Sequence, residues 1–184
     1  MRIIAGEFRG LRLAALGKGD PGAHLRPTPD RVRESLFSML TSRLGDFEDL
    51  HVLDLFAGTG ALGLEALSRG AATATFVEKG RKSQSLIRQN IALTRSEARC
   101  ALLGADATRL PPCSGTPADL VFLDPPYGKG LGEQALASAR ASGWIAPEAM
   151  ILWEDNSPHD APEGFTVETQ RRFGDTQVTL LTLG

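Results

Sequence analysis

Short, mostly apolar runs alternate along this chain with segments whose apolar residues recur at helical spacing. The apolar runs predict strands at 52–55, 74–77, 100–103 and 120–123. The segments after the first two runs predict helices at 61–68 and near 82–93, and Gly70 ends the first of these helices. Because strands that alternate with helices form βαβ units, the pattern predicts an α/β fold with a parallel sheet covered on both faces.

The last third of the chain changes its pattern. A helix is predicted near 133–142, and strands are predicted at 150–153, 165–170 and 177–183. No helical pattern separates the last two strands, so we expect them to pair as an antiparallel hairpin. The sheet is therefore expected to be mostly, but not entirely, parallel.

The first 43 residues have a third pattern. Residues 2–14 alternate loosely between apolar and polar positions, which predicts a short hairpin with basic side chains on one face. A loop rich in glycine and proline follows at 17–27. Thr28 and Pro29 are typical of a helix start and predict a helix that continues to about Ser42.

The composition is that of a folded protein: the 184 residues are 42% hydrophobic and 23% charged, enough for one compact domain. No apolar run approaches the roughly 18–20 residues of a membrane helix, and Glu7 and Arg9 interrupt the apolar start before a signal-peptide core could form. Cys100 and Cys113 are too few for a disulfide framework or a metal site. We therefore expect a cytoplasmic protein without a membrane segment or a metal ion.

The formal net charge of −2 is unevenly distributed along the chain. Residues 1–43 contain eight basic and four acidic side chains, a net charge of +4. Residues 44–184 contain twelve basic and eighteen acidic side chains, a net charge of −6. The mildly acidic total therefore does not exclude a nucleic-acid partner, because the basic charge is concentrated at one end.

A glycine-rich turn follows the first predicted strand. Gly58, Gly60 and Gly63 have the spacing of a dinucleotide fingerprint and lead directly into a helix. Glycines let the backbone turn sharply and approach a ligand, whose negative group can meet free N–H groups at the helix start. Glu78, at the end of the second strand, is placed to accept hydrogen bonds from two ribose hydroxyls. The pattern predicts a nucleoside-containing cofactor; the alternative is a tight turn that binds nothing, with Asp54 and Glu78 as caps.

Asp54, on the first strand, distinguishes between possible cofactors. A carboxylate at this position is unfavourable beside the pyrophosphate of NAD but suits the ammonium group of a methionine moiety. S-adenosylmethionine carries both that ammonium and a ribose, so the pattern favours it over NAD. Phe56, within the turn, and Lys79, directly after Glu78, are assigned to the same cofactor site.

Asp106 lies just beyond the third predicted strand, at the same edge of the sheet. Its carboxylate could accept a hydrogen bond from the exocyclic amine of adenine, while the Ala107 N–H donates to the ring. Asp106 could equally be an ordinary turn aspartate.

Asp124, Pro125, Pro126 and Tyr127 follow the fourth strand and form the most specific motif of the chain. The prolines cannot continue a central strand, and their rigidity fixes the Asp124 carboxylate and the Pro125 carbonyl as neighbouring acceptors. These acceptors suit the exocyclic amino group of a base, whose lone pair they would direct at a methyl sulfonium. Tyr127 offers a flat face for a base turned out of its stack. The motif predicts methyl transfer to an amino group; the alternative is a turn that only ends the strand.

These motifs together resemble the RsmD family of bacterial ribosomal RNA guanine-N2 methyltransferases, which are class I S-adenosylmethionine-dependent enzymes. The resemblance lies in RIIAG and FRG within residues 2–10, RPTPDRVRESLF at 26–37, LDLFAGTGALGLEALSRG at 53–70 and FLDPPY at 122–127. The stretch at 26–37 distinguishes this family from other methyltransferases, because Asp-Pro-Pro-Tyr is shared by many enzymes that methylate amino groups.

The resemblance implies a Rossmann-like fold with a seven-stranded, mostly parallel sheet, a methyltransferase domain at 26–184 and a basic hairpin and loop at 1–25. It also implies methyl transfer to the N2 amine of one guanine, nucleotide 966 by the family's name, in 16S rRNA. The expected substrate is an assembled or assembling small ribosomal subunit, and the enzyme is expected to be a monomer.

The resemblance also assigns roles by position. The cofactor would be held by Arg26, Thr28, Asp54, Phe56, Gly58, Gly60, Glu78, Lys79, Asp106 and Ala107. The catalytic group around the target base would be Asp124, Pro125, Pro126 and Tyr127. Independently of the resemblance, the net charge of +4 in residues 1–43 indicates which side chains contact RNA: Arg2, Arg9, Arg12, Arg31 and Arg33.

Three other functions compete with this one. An adenine-N6 methyltransferase would use the same motif after the fourth strand, but 184 residues leave no room for a sizeable domain that reads a DNA sequence. A non-catalytic RNA-binding assembly factor on the same fold is opposed by the presence of both Asp54 and Asp124. An NAD-dependent oxidoreductase is opposed by Asp54 and by the lack of an evident hydride-transfer site.

Overall fold

The computed structural model describes residues 1–17 and 28–184, which contain one seven-stranded sheet with helices on both faces. The strands are β1 (His51–Leu55), β2 (Thr73–Val77), β3 (Cys100–Leu103), β4 (Ala118–Leu123), β5 (Ile145–Asp155), β6 (Phe165–Phe173) and β7 (Thr176–Leu183). Their order in the sheet is β3-β2-β1-β4-β5-β7-β6. The helices are α1 (Asp30–Leu44), α2 (Ala61–Ser68), α3 (Arg81–Thr94) and α4 (Leu131–Ala141). The predicted α/β fold is confirmed.

The first five strands run parallel, and β7 runs antiparallel between β5 and β6. The register pairs Leu55 of β1 with Val77 of β2 and with Leu123 of β4. The carboxyl ends of these three strands therefore lie side by side at one edge. Open α/β sheets bind their ligands in the crevice outside this edge.

Two apolar layers hold the helices onto the sheet. On one face, Phe76 and Phe122 share a buried cluster with Leu36 and with other apolar residues of α1, α2 and α3. On the other face, Val121 shares a cluster with Leu136 of α4. Each of these fully buried large side chains contributes about 1.5–3 kcal/mol of hydrophobic stabilisation. Val121 and Phe122 point to opposite faces because successive strand residues alternate.

The fifth strand is longer than the sequence indicates, since β5 begins at Ile145 and not at Met150. Its pairing with β4 shifts register: Ala118 pairs with Ile145 but Leu120 pairs with Met150. The extra residues include an exposed glutamate, Glu148, with a left-handed φ of 63°. Proline and a left-handed residue in this insertion break the apolar alternation, so the pattern shows only the second half of the strand.

The hairpin predicted at residues 2–14 is present as a short, irregular antiparallel pair joined by a turn. Arg2 and Arg12 form an antiparallel bridge, and the Ile3 N–H donates a 2.9 Å hydrogen bond to the Leu11 carbonyl oxygen. Ile3 and Leu13 are buried in the core, and a Cβ at Gly6 would lie 1.7 Å from the Ser68 carbonyl oxygen. The segment is therefore held both by its own short set of cross-strand hydrogen bonds and by packing against α2. The predicted boundary between residues 25 and 26 lies outside the described residues and stays a prediction.

The helix predicted after Thr28 is confirmed as α1, which extends two residues beyond the expected end and stops at Gly45, where φ is 84°. Among residues 1–17 and 28–184, no helix is both long and apolar enough to cross a membrane.

Candidate active site

The glycine turn between β1 and α2 is built by close packing. Gly58 and Gly60 have φ values of 59° and 79°, which glycine adopts without strain. Gly63 is needed for space: a Cβ there would lie 2.5 Å from a ring carbon of Phe76 and 3.2 Å from Asp54 Oδ2. Phe56, which begins the turn, also has a positive φ of 59°. Backbone strain of this kind in a non-glycine residue is concentrated at functional sites.

Asp54 is buried beneath this turn. Its Oδ2 accepts a 3.0 Å hydrogen bond from the Gly63 N–H. Burial raises the pKa of Asp54 well above its usual range, and the nearby carboxylates of Asp124 and Glu78 raise it further. A cationic group beside Asp54 would favour its charged form and offset the cost of burying it.

Glu78 lies at the end of β2 and faces the glycine turn. Its Oε2 accepts a 3.0 Å bond from the Gly58 N–H, and its Oε1 accepts a 2.7 Å bond from the Gly80 N–H. These two bonds fix the plane of the carboxylate at the edge of the sheet. Each oxygen still has a lone pair available for a hydroxyl group.

Asp106 is fixed in the same way after β3. Its Oδ1 accepts hydrogen bonds from the Thr108 N–H and from the Thr108 hydroxyl, at 2.9 and 2.8 Å. These bonds, the backbone one first, lower the pKa of Asp106, and the positive charge of Lys79 also lowers it. The Lys79 ammonium lies 3.7 Å from Asp106 Oδ2. Ala107, the residue after Asp106, is buried.

A cavity of about 370 Å³ lies between these strand ends. The predicted site residues that line it are Phe56, Glu78, Lys79, Ala107, Asp124 and Pro126. The structure thus brings together residues from the ends of β1, β2 and β4 and from the turn after β3. Leu131, at the start of α4, also lines the cavity and was not predicted.

The Asp-Pro-Pro-Tyr segment forms the outer side of this cavity. Asp124 is half-buried at the end of β4, and Pro125 is buried behind it. Burial raises the pKa of Asp124 well above its usual range, with further contributions from the carboxylates of Glu154 and Asp155. Tyr127 has 46% of its surface exposed, which is unusual for a large side chain in this protein. Asp124 therefore places an acceptor in the cavity wall, and an exposed aromatic ring follows three residues later in the chain.

Glu154 is a site residue that the sequence did not reveal. The β4–β5 register pairs Leu123 with Trp153, so Glu154 lies on the strand next to Asp124. Its side chain is 1% exposed, and its Oε2 accepts a 3.0 Å bond from the Thr28 hydroxyl. Burial raises the pKa of Glu154 to about 7, and the Asp54 carboxylate adds to this rise. The sequence did contain one signal for Glu154: it directly follows the predicted apolar strand 150–153, as Asp124 follows the strand 120–123.

A second group of residues supports the far side of the same edge. The His159 ring stacks on Trp153 with 3.8 Å between centroids, and its Nε2 lies 2.8 Å from Asp155 Oδ2. Gly132 allows α4 to approach, because a Cβ there would lie 2.2 Å from the Trp153 ring. No sequence motif connects His159 with the site, because stacking brings together residues that share no local pattern.

The prediction that Arg33 contacts RNA is wrong. Its guanidinium is 1% exposed and donates 2.6 Å hydrogen bonds to Asp30 Oδ1 and to the Arg2 carbonyl oxygen. It also lies 3.7 Å from a carboxylate oxygen of the fully buried Glu65. Arg33 therefore stabilises the packing of α1 against α2 and the N-terminal turn.

The other predicted RNA-contact residues and two predicted cofactor residues, Thr28 and Arg26, lie in different environments. Arg2, Arg9, Arg12 and Arg31 lie at the surface. Thr28 contacts Glu154, which lies beside Asp54 and Asp124. Arg26 lies outside the described residues, so its role in the cofactor site stays a prediction.

The sheet order and the cavity at its carboxyl edge define the Rossmann-like fold of the class I methyltransferases, which this chain has. A family model described as Conserved hypothetical protein 95 matches residues 1–182. The chain is 43% identical over 163 residues to Ribosomal RNA small subunit methyltransferase D of Escherichia coli strain K12, covering 88% of this chain and 78% of the relative. It belongs to the RsmD family of methyltransferases.

Two further comparisons agree with this assignment. Ribosomal RNA small subunit methyltransferase D of Haemophilus influenzae is 35% identical over 179 residues, which cover 95% of this chain and 89% of that protein. The solved structure of the Escherichia coli protein yhhF matches with a TM-score of 0.82 at 35% identity, and the match covers 100% of this chain and 97% of that one. The similarity therefore extends over the whole fold.

Proposed function

We propose that this protein transfers a methyl group from S-adenosylmethionine to the exocyclic N2 amine of a guanine, nucleotide 966 by family resemblance, in 16S rRNA. The observation that carries the proposal is that Asp124 and Glu78 line one cavity. Asp124 suits an amino group as a hydrogen-bond acceptor, and Glu78 suits the hydroxyls of a ribose. The names of the E. coli and H. influenzae relatives support rRNA as the substrate.

The residues around the cavity fit S-adenosylmethionine. Glu78 is held by two backbone N–H groups with acceptor capacity left for ribose hydroxyls. Asp106 and Ala107 are assigned to the adenine, and Phe56, Gly58 and Gly60 to the surface of the turn beneath the nucleoside. Asp54 and Glu154 are buried carboxylates whose charged forms a nearby cation would stabilise, which suits the methionine end. Thr28, and Arg26 before it, would close that end.

The chemistry assigned to this chain is orientation of the amine and stabilisation of charge. When bound, the cofactor supplies an electrophilic methyl group on a sulfonium. The Asp124 carboxylate and the Pro125 carbonyl would accept the two amine hydrogens, so that the nitrogen lone pair points at that methyl group. Tyr127 would stack on the base once it leaves its RNA stack. As the nitrogen becomes positive, Asp124 stabilises the charge, and its raised pKa makes it a stronger acceptor for the proton that leaves.

We further propose that the substrate is an assembled or assembling small ribosomal subunit, and that the protein acts as a cytoplasmic monomer. The exposed basic side chains Arg2, Arg9, Arg12 and Arg31 are then available to RNA phosphates. Arg2 lies 3.3 Å from Asp30, so its charge is partly neutralised and its contribution is expected to be the smallest.

The test is methyl transfer from labelled S-adenosylmethionine to small subunits, naked 16S rRNA and DNA, each lacking the modification. Nucleoside mass spectrometry then identifies the product. N2-methylguanosine in the rRNA supports the proposal. N6-methyladenosine in either RNA substrate, or N6-methyl-2′-deoxyadenosine in the DNA, would establish the adenine-N6 alternative. If the protein binds the subunits but transfers no label, while free cofactor binding is normal, it is a non-catalytic assembly factor.

A further inference from the structure

Outside the active site, the described residues form a second open groove, of about 570 Å³, between the outer face of α1 and the edge strand β6. Three arginines line it against a single glutamate: Arg31, Arg43 and Arg171 against Glu34. Three serines on α1 add hydroxyl groups. The groove is therefore a polar surface with an excess of positive charge.

A β-bulge in β6 builds this groove. The pairing of β6 with β7 shifts between Val167 and Thr169. Before the shift, Val167 packs with the apolar cluster on the α4 face, and after it Phe173 packs with the cluster on the α1 face. Because strand side chains alternate, Arg171 and Thr169 turn toward α1 together with Phe173. An unbroken strand would direct these side chains to the opposite face.

One end of the groove opens at the sheet edge that carries the active site. The strand registers place Arg171 opposite Val178, and Val178 opposite Glu154. Two strand spacings put Arg171 about 10 Å from Glu154. Arg31 lies in the first turn of α1, three residues after Thr28, whose hydroxyl contacts Glu154.

Arg31 and Arg171, at the end of the groove near the active site, differ from Arg43 at the other end in their ion pairing. Arg43 lies 3.7 Å from a carboxylate oxygen of Glu168, so its charge is partly balanced. The guanidinium groups of Arg31 and Arg171 are exposed and have no hydrogen bond or ion pair within residues 1–17 and 28–184. Arg31 and Arg43 are about 18 Å apart along the helix axis. Guanidinium groups of this kind are suited to bind phosphate oxygens.

We propose that this groove binds the phosphate backbone of the substrate RNA beside the target nucleotide, with Arg31 and Arg171 as the main phosphate ligands. The inference rests on the proposed methylation of rRNA; it joins Arg31, which was already expected to contact RNA, to Arg171 and the β6 side of the groove, which no sequence motif indicates. RNA fits the groove better than an acidic protein segment does, because hydroxyl and guanidinium groups along an open channel match a regular series of phosphates.

The test reverses both charges, as Arg31→Glu with Arg171→Glu, and measures the affinity for unmethylated small subunits and for naked 16S rRNA between 50 and 200 mM KCl. We expect binding of both RNAs to weaken by about tenfold or more, and the slope of log affinity against log salt to fall by about 0.7–0.9 for each phosphate that the variant no longer binds. The matched control, Arg88→Glu in α3 with Arg95→Glu directly after it, carries the same charge change and should leave the slope unchanged. Arg31→Lys with Arg171→Lys keeps both positive charges and should retain most of the wild-type salt slope.

The cofactor affinity and the melting temperature of each variant show whether the fold is intact. A reversed variant that is folded and keeps the wild-type salt slope overturns the proposal. Loss of binding to subunits but not to naked rRNA would assign the groove to a ribosomal protein and also overturn it. A wild-type dimer that dissociates in the variant would assign the groove to self-association and overturn it as well. If the wild type methylates no rRNA, the proposed function fails, and the salt slope still decides whether the groove binds RNA.

Discussion

The Thr28 hydroxyl donates a 3.0 Å hydrogen bond to Glu154 Oε2 and thereby joins the residue before Pro29 and α1 to the end of β5. The other oxygen of this carboxyl group, Oε1, is buried without a hydrogen-bond partner among the described residues. Burial and the charge of Asp54 together raise the pKa of Glu154 to about 7. Ionisation of Glu154 therefore opposes the folded state unless a cation lies nearby.

Glu154 should make the free protein less stable as the pH rises. The pKa is about 7 in the folded chain and 4.5 in its ordinary state, so the folded chain binds more protons between these values. The stability that protonated Glu154 contributes is fully present below pH 4.5 and is lost as the pH rises through about 7. Glu154→Gln should remove up to about 3 kcal/mol of this pH dependence. Urea unfolding from pH 5 to 8 measures it, with exposed Glu163→Gln as the control, and an equal decline in wild type and Glu154→Gln would contradict the assignment.

Arg33→Met should destabilise the protein without changing its affinity for RNA. The substitution leaves Asp30 without its short ion pair and Glu65 with only Arg69 as a nearby cation. Removing one partner of a buried pair typically costs about 3–5 kcal/mol, whereas an exposed substitution such as Arg31→Met stays within about 0.5 kcal/mol. Denaturant unfolding of both variants tests the difference. Similar stabilities would mean that the buried network contributes little.

The sequence predicted the parallel part of the fold well because local pattern and tertiary structure agree there. Each apolar strand is followed by its turn and helix, so the ends of β1, β2 and β4 could be placed at one edge from their order alone. The long β5 was only half predicted, because its first part is held by pairing across an irregular register and not by alternation. Register is a tertiary property with a weak local signal.

The site was predicted as far as its residues belong to motifs. Asp54 lies on the first strand, Glu78 and Asp124 directly follow strands, and all three could be assigned to chemistry directly. Glu154 contacts Thr28, 126 residues away, and only the fold brings them together. Arg33 was misassigned because charge in a basic helix resembles an exposed surface, whereas the buried Glu65 that pairs with it lies on another helix. Burial of charge therefore depends on partners that a linear pattern does not identify.

Charge reversal of Arg9 and Arg12 together should weaken RNA association and flatten its salt dependence. Both side chains are exposed on the N-terminal turn, and neither lies within the core. Each phosphate that is no longer bound should lower the log–log slope by about 0.7–0.9. Filter binding to naked 16S rRNA at several salt concentrations measures the slope. An unchanged slope would place the RNA footprint elsewhere on the surface.

Asp54→Asn should weaken cofactor binding while leaving the free protein folded. The substitution removes a negative charge that burial already disfavours, so the melting temperature should not fall at pH 8. The affinity for S-adenosylmethionine should drop by about ten- to a hundredfold, since the ammonium would no longer meet a buried carboxylate. Isothermal titration tests this, with 5′-methylthioadenosine as the matched ligand because it lacks the methionine ammonium. If both ligands bind more weakly by the same factor, Asp54 acts on the turn and not on the ammonium.

Asp124→Ala should abolish methyl transfer while leaving cofactor binding nearly intact. The carboxylate lines the cavity on the side assigned to the base, and Glu78 and Asp106 remain to hold the nucleoside. Loss of one positioned group that stabilises a developing charge typically lowers the rate by about 10²–10³-fold. Single-turnover methylation of small subunits measures the rate, and titration measures cofactor affinity. Because burial raises the pKa of Asp124, the wild-type rate should fall as acid protonates this acceptor, and Asp124→Asn should lose that limb of the pH profile. Turnover within tenfold of wild type in Asp124→Ala would remove Asp124 from the mechanism.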